Sequence, residues 1–275
     1  MTGQNAIPVI GAALTNAELA TYQDWIMEKD RDLELQSFVN ASVLDDDWTP
    51  LADEVKHLLA GYRGRMGIHG PFWGFTIDTP DPLVRQVVQK RFGQGLDVCA
   101  ATGASHMVIH SPFSTWDYNN LDNHPGARDD LFTRVHDLLT PIVKRAETLG
   151  VTLVMENIED IAPADRKALC ESFGSLALQV SIDTGHAHYA HGSTGAPPVD
   201  YYVRSAGEML AHVHLQDADG HADRHWQIGQ GNILWPSVFA ALAGLAVKPR
   251  LILELEDKAG IPASMAYLEA KGLGQ

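Results

Sequence analysis

Cysteine is scarce: Cys99 and Cys170 are the only two in 275 residues. Neither sits in a Cys-x-x-Cys or Cys-His arrangement, and each falls inside a helical pattern. A disulfide scaffold and a thiolate metal knuckle are therefore excluded, and both thiols read as reduced core residues of a cytoplasmic protein. Basic charge is short as well, with 20 Lys and Arg against 35 Asp and Glu and a formal net charge of −15. Nucleic-acid binders draw much of their affinity from Lys and Arg on phosphate, so this balance argues against such a partner without forbidding a local basic patch. No apolar run approaches the ~18 residues of a membrane helix, and Met1 to Pro8 lack the basic start and apolar centre of a secretion signal. Neither a Walker nor a Rossmann glycine fingerprint occurs.

What remains is a chain with a hydrophobic fraction of 45% and 13 histidines. Apolar runs bounded by Gly, Pro and polar residues predict strands at Ile7 to Ala13, Leu33 to Phe38, Arg65 to Gly70, His106 to His110, Thr152 to Glu156, Gln179 to Asp183, Ala211 to Leu215 and Arg250 to Leu255. Helical periodicity lies between them, clearest at Pro82 to Ala101, Arg128 to Leu149 and Ile261 to Lys271. Thr115 to Arg128 reads as an active-site loop and His191 to Pro198 as another loop. Strands alternating with helices pair in parallel through right-handed crossovers. Eight such units in a chain of this length imply an α/β fold, a closed (β/α)8 TIM barrel of one domain spanning residues 1–275.

The residues at the strand ends carry the functional argument. The third strand ends on His69, the fourth on His110, the fifth on Glu156 and the sixth on Asp183; the seventh carries His212 and His214, and the eighth reaches Glu254. In a barrel those C-terminal ends converge on one mouth, where active sites of this fold lie. Side chains alternate along a strand, so Val154 and Glu156 share one face while Leu153 and Met155 take the other. A carboxylate ending such an apolar strand is costly to bury without a partner, and a divalent cation can serve several carboxylates and imidazoles at once. Mixed His and carboxylate sets suit Mn2+, Zn2+ or Co2+, with Mg2+ less at home. Two loop elements extend the set, Asp183-x-x-His186 and Asp223-Arg224-His225, followed by Gly229-x-Gly231, whose amides could face a substrate oxyanion. His212 reads as barrel filling; His57, His106, His124, His136 and His221 are not expected to be ligands. His188 and His191 stand between substrate contact and solvated loop, and Trp73, Trp116 and Trp226 are candidates to wall the pocket.

Ile182-Asp183-Thr184-Gly185-His186, His214-Leu215-Gln216-Asp217, and Asp223-Arg224-His225 with Ile228 to Ile233 make the chain resemble the xylose isomerase-like TIM barrel superfamily, which holds sugar isomerases, epimerases and endonuclease IV. The resemblance runs from the third strand to the last helix. It implies that Glu156, Asp183, His214 and Glu254 bind one divalent metal ion. Glu156 and Glu254 would be the catalytic acid and base on a keto-sugar or keto-polyol, working through a metal-bound cis-enediolate. His186, His188, Arg224, Trp73 and Trp116 would contact the sugar, and His69, His110, Asp223 and His225 would serve substrate or scaffold. The endonuclease IV branch implies three zinc ions and five more ligands, matched here by His69, His110, His186, Asp223 and His225. All nine positions are filled, which favours an abasic-site phosphodiesterase. The acidic charge and the loop Leu35 to Asn40, which lacks that branch's DNA-entering residues, favour the small sugar. Phe72-Trp73-Gly74-Phe75 could cap a sugar or wedge DNA. A dehydratase or decarboxylase of a keto-polyol would use the same residues. Relatives of the isomerase kind often pair, so a homo-oligomer is open, and no membrane partner is expected.

Overall fold

The computed structural model describes residues 7–275, so most of the segment read for a secretion signal, Met1 to Ala6, lies outside the described residues. Eight parallel strands close a barrel in sequence order. They are β1 (Gly11–Leu14), β2 (Leu33–Leu35), β3 (Met66–His69), β4 (His106–His110), β5 (Thr152–Glu156), β6 (Leu178–Asp183), β7 (Leu210–Leu215) and β8 (Arg250–Leu253). Closure is made by β1 pairing with β8, where Ala12 stands beside Leu253. β4 and β5 begin and end where the sequence places them. β1, β2, β3 and β8 are shorter, because ladder pairing stops where the chain leaves the barrel, and β6 and β7 each begin one residue earlier than expected.

The alternation expected along the strands holds. Leu153 and Met155 join the apolar layer between barrel and helices, as do Met107 and Ile109 of β4 and Leu251 and Leu253 of β8. Val108, Val154 and Ile252 are fully buried yet absent from that layer; they fill the barrel itself. The helices at Pro82–Thr102, Ala127–Leu149 and Ile261–Ala270 match expectation to within a residue. No helix among the described residues is long and apolar enough to cross a membrane. Cys99 and Cys170 are buried free thiols, and burial pushes each up to about 12.

Two loop expectations are corrected. Thr115–Asn120 is helical and continues into a 3-10 turn at Leu121–Asn123. Ser114 and Asp117 form a reciprocal capping box there, a local signal strong enough to start a helix without an apolar stripe. His191 lies in the last turn of the helix Thr184–Thr194, which ends on Gly195 at φ 76°, leaving only the residues after Thr194 as loop.

Candidate metal centre

Six consecutive strand ends, β3 to β8, bring His69, His110, Glu156, Asp183, His214 and Glu254 to one mouth. Register sets the neighbours: His110 lies beside Glu156, and Asp183 beside His214. Glu156, Asp183 and His214 are buried and Glu254 is 7% exposed. His214 Nδ1 lies 3.1 Å from Glu156 Oε1 and 3.1 Å from Glu254 Oε2. Asp183 also caps the helix that follows it, accepting from the His186 amide at 2.6 Å, and so places His186 at the rim.

Three of the four flanking histidines are held in one manner. His69 Nδ1 lies 2.9 Å from the Gly70 carbonyl, His186 Nδ1 2.9 Å from that of Asn157, and His225 Nδ1 3.0 Å from that of Glu254. A carbonyl accepts only, so each Nδ1 carries the proton and each Nε2 presents its lone pair. Those lone pairs, and with them His110 Nε2, face carboxylates. His69 Nε2 is 3.8 Å and His110 Nε2 4.0 Å from Glu156 Oε2, while His186 and His225 approach Asp223 at 3.2 and 3.1 Å. Acceptor facing acceptor needs a proton or a cation between them, most of all at the buried Glu156; Asp223 is half exposed. Glu156 Oε2 and Asp183 Oδ2 are buried without a hydrogen-bond partner among the described residues. Three ligand groups result: His69, His110 and Glu156; Glu156, Asp183, His214 and Glu254; and His186, Asp223 and His225. Within each, one atom per residue lies within 4.8 Å of the others. The donor set fits divalent cations.

Without a cation, protons carry the compensation. Burial alone would lower His214 and His186; the carboxylates of Glu254, Glu34 and Glu156 around the first, and of Asp183, Asp223 and Glu156 around the second, hold both well above the usual imidazole range. His225 is raised to about 9, its burial outweighed by Asp223, Glu254 and Asp183. Burial raises Asp183 to about 6 and lowers His110 to about 3. Glu156 falls below the carboxylate range because His214, His186 and His110 overcome its burial.

Amides form a support the sequence reading did not single out. Gln216 Nε2 donates to Asp183 and Asp223, each at 3.1 Å, and its Oε1 accepts from the His225 amide at 2.7 Å. That last contact steadies His225 at a φ of 47°, unusual for a side-chain-bearing residue. Gln36 donates to Glu254 at 2.7 Å, and Asn157 bridges to the Asp183 backbone. Gln36, Asn157 and Gln216 all follow directly on strand ends, the one signal that could have marked them.

The other candidates fall at the rim. Arg224 pairs with Asp219 at 2.9 Å and lies over the Trp226 ring at 5.2 Å. His188 is hydrogen-bonded to Asn232. Trp73, on the loop past β3, is 66% exposed, and Trp116, in the helix Thr115–Asn120 within the loop past β4, is 75% exposed. Between those loops a cavity of about 230 Å³ is lined by Phe72, Phe75, His110 and Phe113. Phe72 stacks on His110 at 4.3 Å and tilts against His69 at 4.9 Å. The Gly229 amide is not free for an oxyanion as expected. It donates to Asp217 at 2.8 Å, and Asp217 also accepts from the amides of Ala218 and Ile233 and from Trp235 Nε1. His136 stacks on Phe173, away from the mouth.

A family model described as xylose isomerase-like TIM barrel matches residues 29–271. The uncharacterized protein MJ1311 of Methanocaldococcus jannaschii is 22% identical over 72% of this chain and 66% of its own length. Among solved structures, the TTHB071 protein of Thermus thermophilus, soaked with ZnCl2, is 25% identical with a TM-score of 0.70, covering 95% of this chain and 96% of its own. A D-tagatose 3-epimerase-like protein is 19% identical with a TM-score of 0.74 and the same coverage.

Proposed function

We propose, because this chain belongs to the xylose isomerase-like TIM barrel family, that it is a divalent-metal-dependent isomerase or epimerase of a keto-sugar or keto-polyol. The observation that carries the proposal is the convergence of Glu156 and Glu254 on one nitrogen of His214 beside Asp183, with buried carboxylate oxygens left unpartnered. Glu156, Asp183, His214 and Glu254 would hold the ion, which when bound polarises a substrate carbonyl and acidifies the neighbouring C–H. One glutamate takes the proton from that carbon and the other returns a proton. Return to the opposite face of the same carbon gives an epimer, and to the adjacent carbon an aldose–ketose isomer. Gln36 and His225 hold Glu254 from its side chain and its backbone. Phe72, Trp73 and Trp116 stand where they would cover a sugar's apolar face.

The test is exchange in D2O. Metal-free protein is reloaded with Mn2+, Co2+ or Zn2+ and offered a panel of keto-hexoses, keto-pentoses and keto-polyols, free and phosphorylated. Deuterium entering the carbon beside the carbonyl is expected; no exchange on any of them would overturn the proposal.

A second reading is phosphodiester hydrolysis with three zinc ions, favoured by the two flanking ligand groups, one of which shares Glu156 with the central set. It needs basic residues near the mouth for a nucleic acid. Lys56, Arg63, Arg65, Arg85, Lys90 and Arg91 are instead each paired with an aspartate. Three zinc ions per chain together with nicking of abasic DNA would replace the isomerase reading.

A further inference from the structure

Beneath the mouth, inside the closed barrel, lies a second carboxylate–histidine cluster. Glu34 of β2, His106 of β4, and Ser181 and His212 of β6 and β7 are all fully buried. Glu34 Oε1 lies 2.9 Å from His214 Nε2, while Glu34 Oε2 lies 3.1 Å from His212 Nε2 and 3.6 Å from His106 Nε2. His212 Nδ1 is 2.8 Å from Ser181 Oγ. Gly67 makes room for this layer: a Cβ there would stand 2.0 Å from the His106 ring.

His214 is thus held unlike the other ligand histidines. His69, His186 and His225 give Nδ1–H to backbone carbonyls and face the mouth through Nε2, whereas His214 faces it through Nδ1 and turns Nε2 to a carboxylate from across the barrel. We infer that Glu34 is a positioning residue: it accepts the Nε2–H of His214, fixes the tautomer whose Nδ1 lone pair faces the ion, and makes that nitrogen a stronger donor. A carboxylate behind a ligand imidazole acts in this way generally. The inference rests on the metal-binding role assigned to His214 above. The layer could be read as an ion site itself, but Arg250 is close enough to His106 and Glu34 for its charge to act on both. Glu34, His106 and His212 lie close enough to meet on one ion, but their single carboxylate also faces His214, so the layer offers a further dication less negative charge than the mouth does.

The test is Co2+ binding by metal-free protein, followed through the visible absorption of the ion and by elemental analysis, in wild type and Glu34→Gln. Wild type is expected to bind Co2+ with a measurable visible spectrum. Glu34→Gln should bind about tenfold or more weakly, with a shifted spectrum, an unchanged number of ions and a metal-free melting temperature within a few degrees of wild type. Equal affinity and an identical spectrum in the two proteins would overturn the inference while leaving the metal site standing. Loss of one whole equivalent of ion in the variant would overturn it too, by making the layer a site. Wild type that binds no Co2+, Mn2+ or Zn2+ would instead bring down the reading beneath it. If Glu34→Gln does not fold, Glu34→Asp keeps the charge but withdraws it by one methylene; weaker Co2+ binding supports the inference and unchanged binding overturns it.

Discussion

The barrel holds two carboxylate–histidine clusters one above the other, and they are built on opposite rules. At the mouth, imidazoles spend their protons on backbone carbonyls and turn lone pairs toward Glu156 and Asp223, so negative and electron-donating groups accumulate until a cation enters. In the layer below, a single charge, Glu34, is surrounded by imidazoles and has Arg250 nearby. Both use the same residue types, and both are buried except at the rim around Asp223. The difference lies in where the second nitrogen of each ring points, and it separates a site that recruits an ion from a layer that supports one. His214 belongs to both, with one nitrogen in each.

The largest effect should come from the mouth. Glu156→Gln keeps the shape of the side chain and one acceptor oxygen but removes the base, so turnover should fall by about two to four orders of magnitude with the fold intact. Steady-state rates on the substrate found by deuterium exchange, beside a far-ultraviolet dichroism spectrum, check this. Activity near wild type would take Glu156 out of the chemistry and leave Glu254 to act alone.

Metal removal separates the clusters thermodynamically. An ion present at ~1,000 times its Kd stabilises the chain by ~4 kcal/mol, on the order of 10 °C in melting temperature at this size. Chelation should lower Tm by about that amount. The sign of the pH effect follows from the imidazoles. His225 folds with its pKa raised to about 9, so its proton contributes to metal-free stability fully below the unfolded value of about 6.5, and that contribution is lost as pH rises through about 9. A cation held by the central set must displace the proton on His214, and its charge disfavours those on His186 and His225 nearby, so uptake releases protons at pH 7 and tightens as pH rises toward 9. Below about 6, where Asp183 takes up a proton, binding weakens further. Titration calorimetry in two buffers of different ionisation enthalpy measures the protons released; none released would mean that the site is already unprotonated.

The two clusters are unequally legible in the sequence. His69, His110, Glu156, Asp183 and Glu254 each interrupt or end an apolar run at a strand's C-terminal end, and a closed barrel can only bring such ends together. Glu34 also sits in a strand, but Leu33-Glu34-Leu35 looks like the alternation of any strand with one face toward water. Its burial becomes evident only when closure turns that face inward, against His106 and His212 from strands far along the chain. His212 fills the barrel as its place in β7 implies; His106, expected not to be a ligand, has its partner in the same layer. Loop chemistry is opaque for a related reason. Gly229-x-Gly231 offers amides, and nothing local says that Asp217 collects one of them. The capping box at Ser114 is within reach, since its spacing is readable, yet a polar stretch without an apolar stripe reads as loop.

The smallest effect is the one that tests whether the layer and the mouth are mechanically separate. Gly67→Ala places a methyl group 2.0 Å from His106 Cε1 and 2.2 Å from both ring nitrogens, in a region with no exposed surface. The ring cannot leave, so it must shift against its neighbours, and overpacking of this kind costs ~1–3 kcal/mol. Chemical denaturation should show that loss in the metal-free protein. Glu34 would still be held by His212 at 3.1 Å and would still reach His214 at 2.9 Å, so Co2+ affinity should stay within about threefold of wild type. A loss of affinity as large as that of Glu34→Gln would show that His106 sets the carboxylate's position, and that the two clusters respond as one.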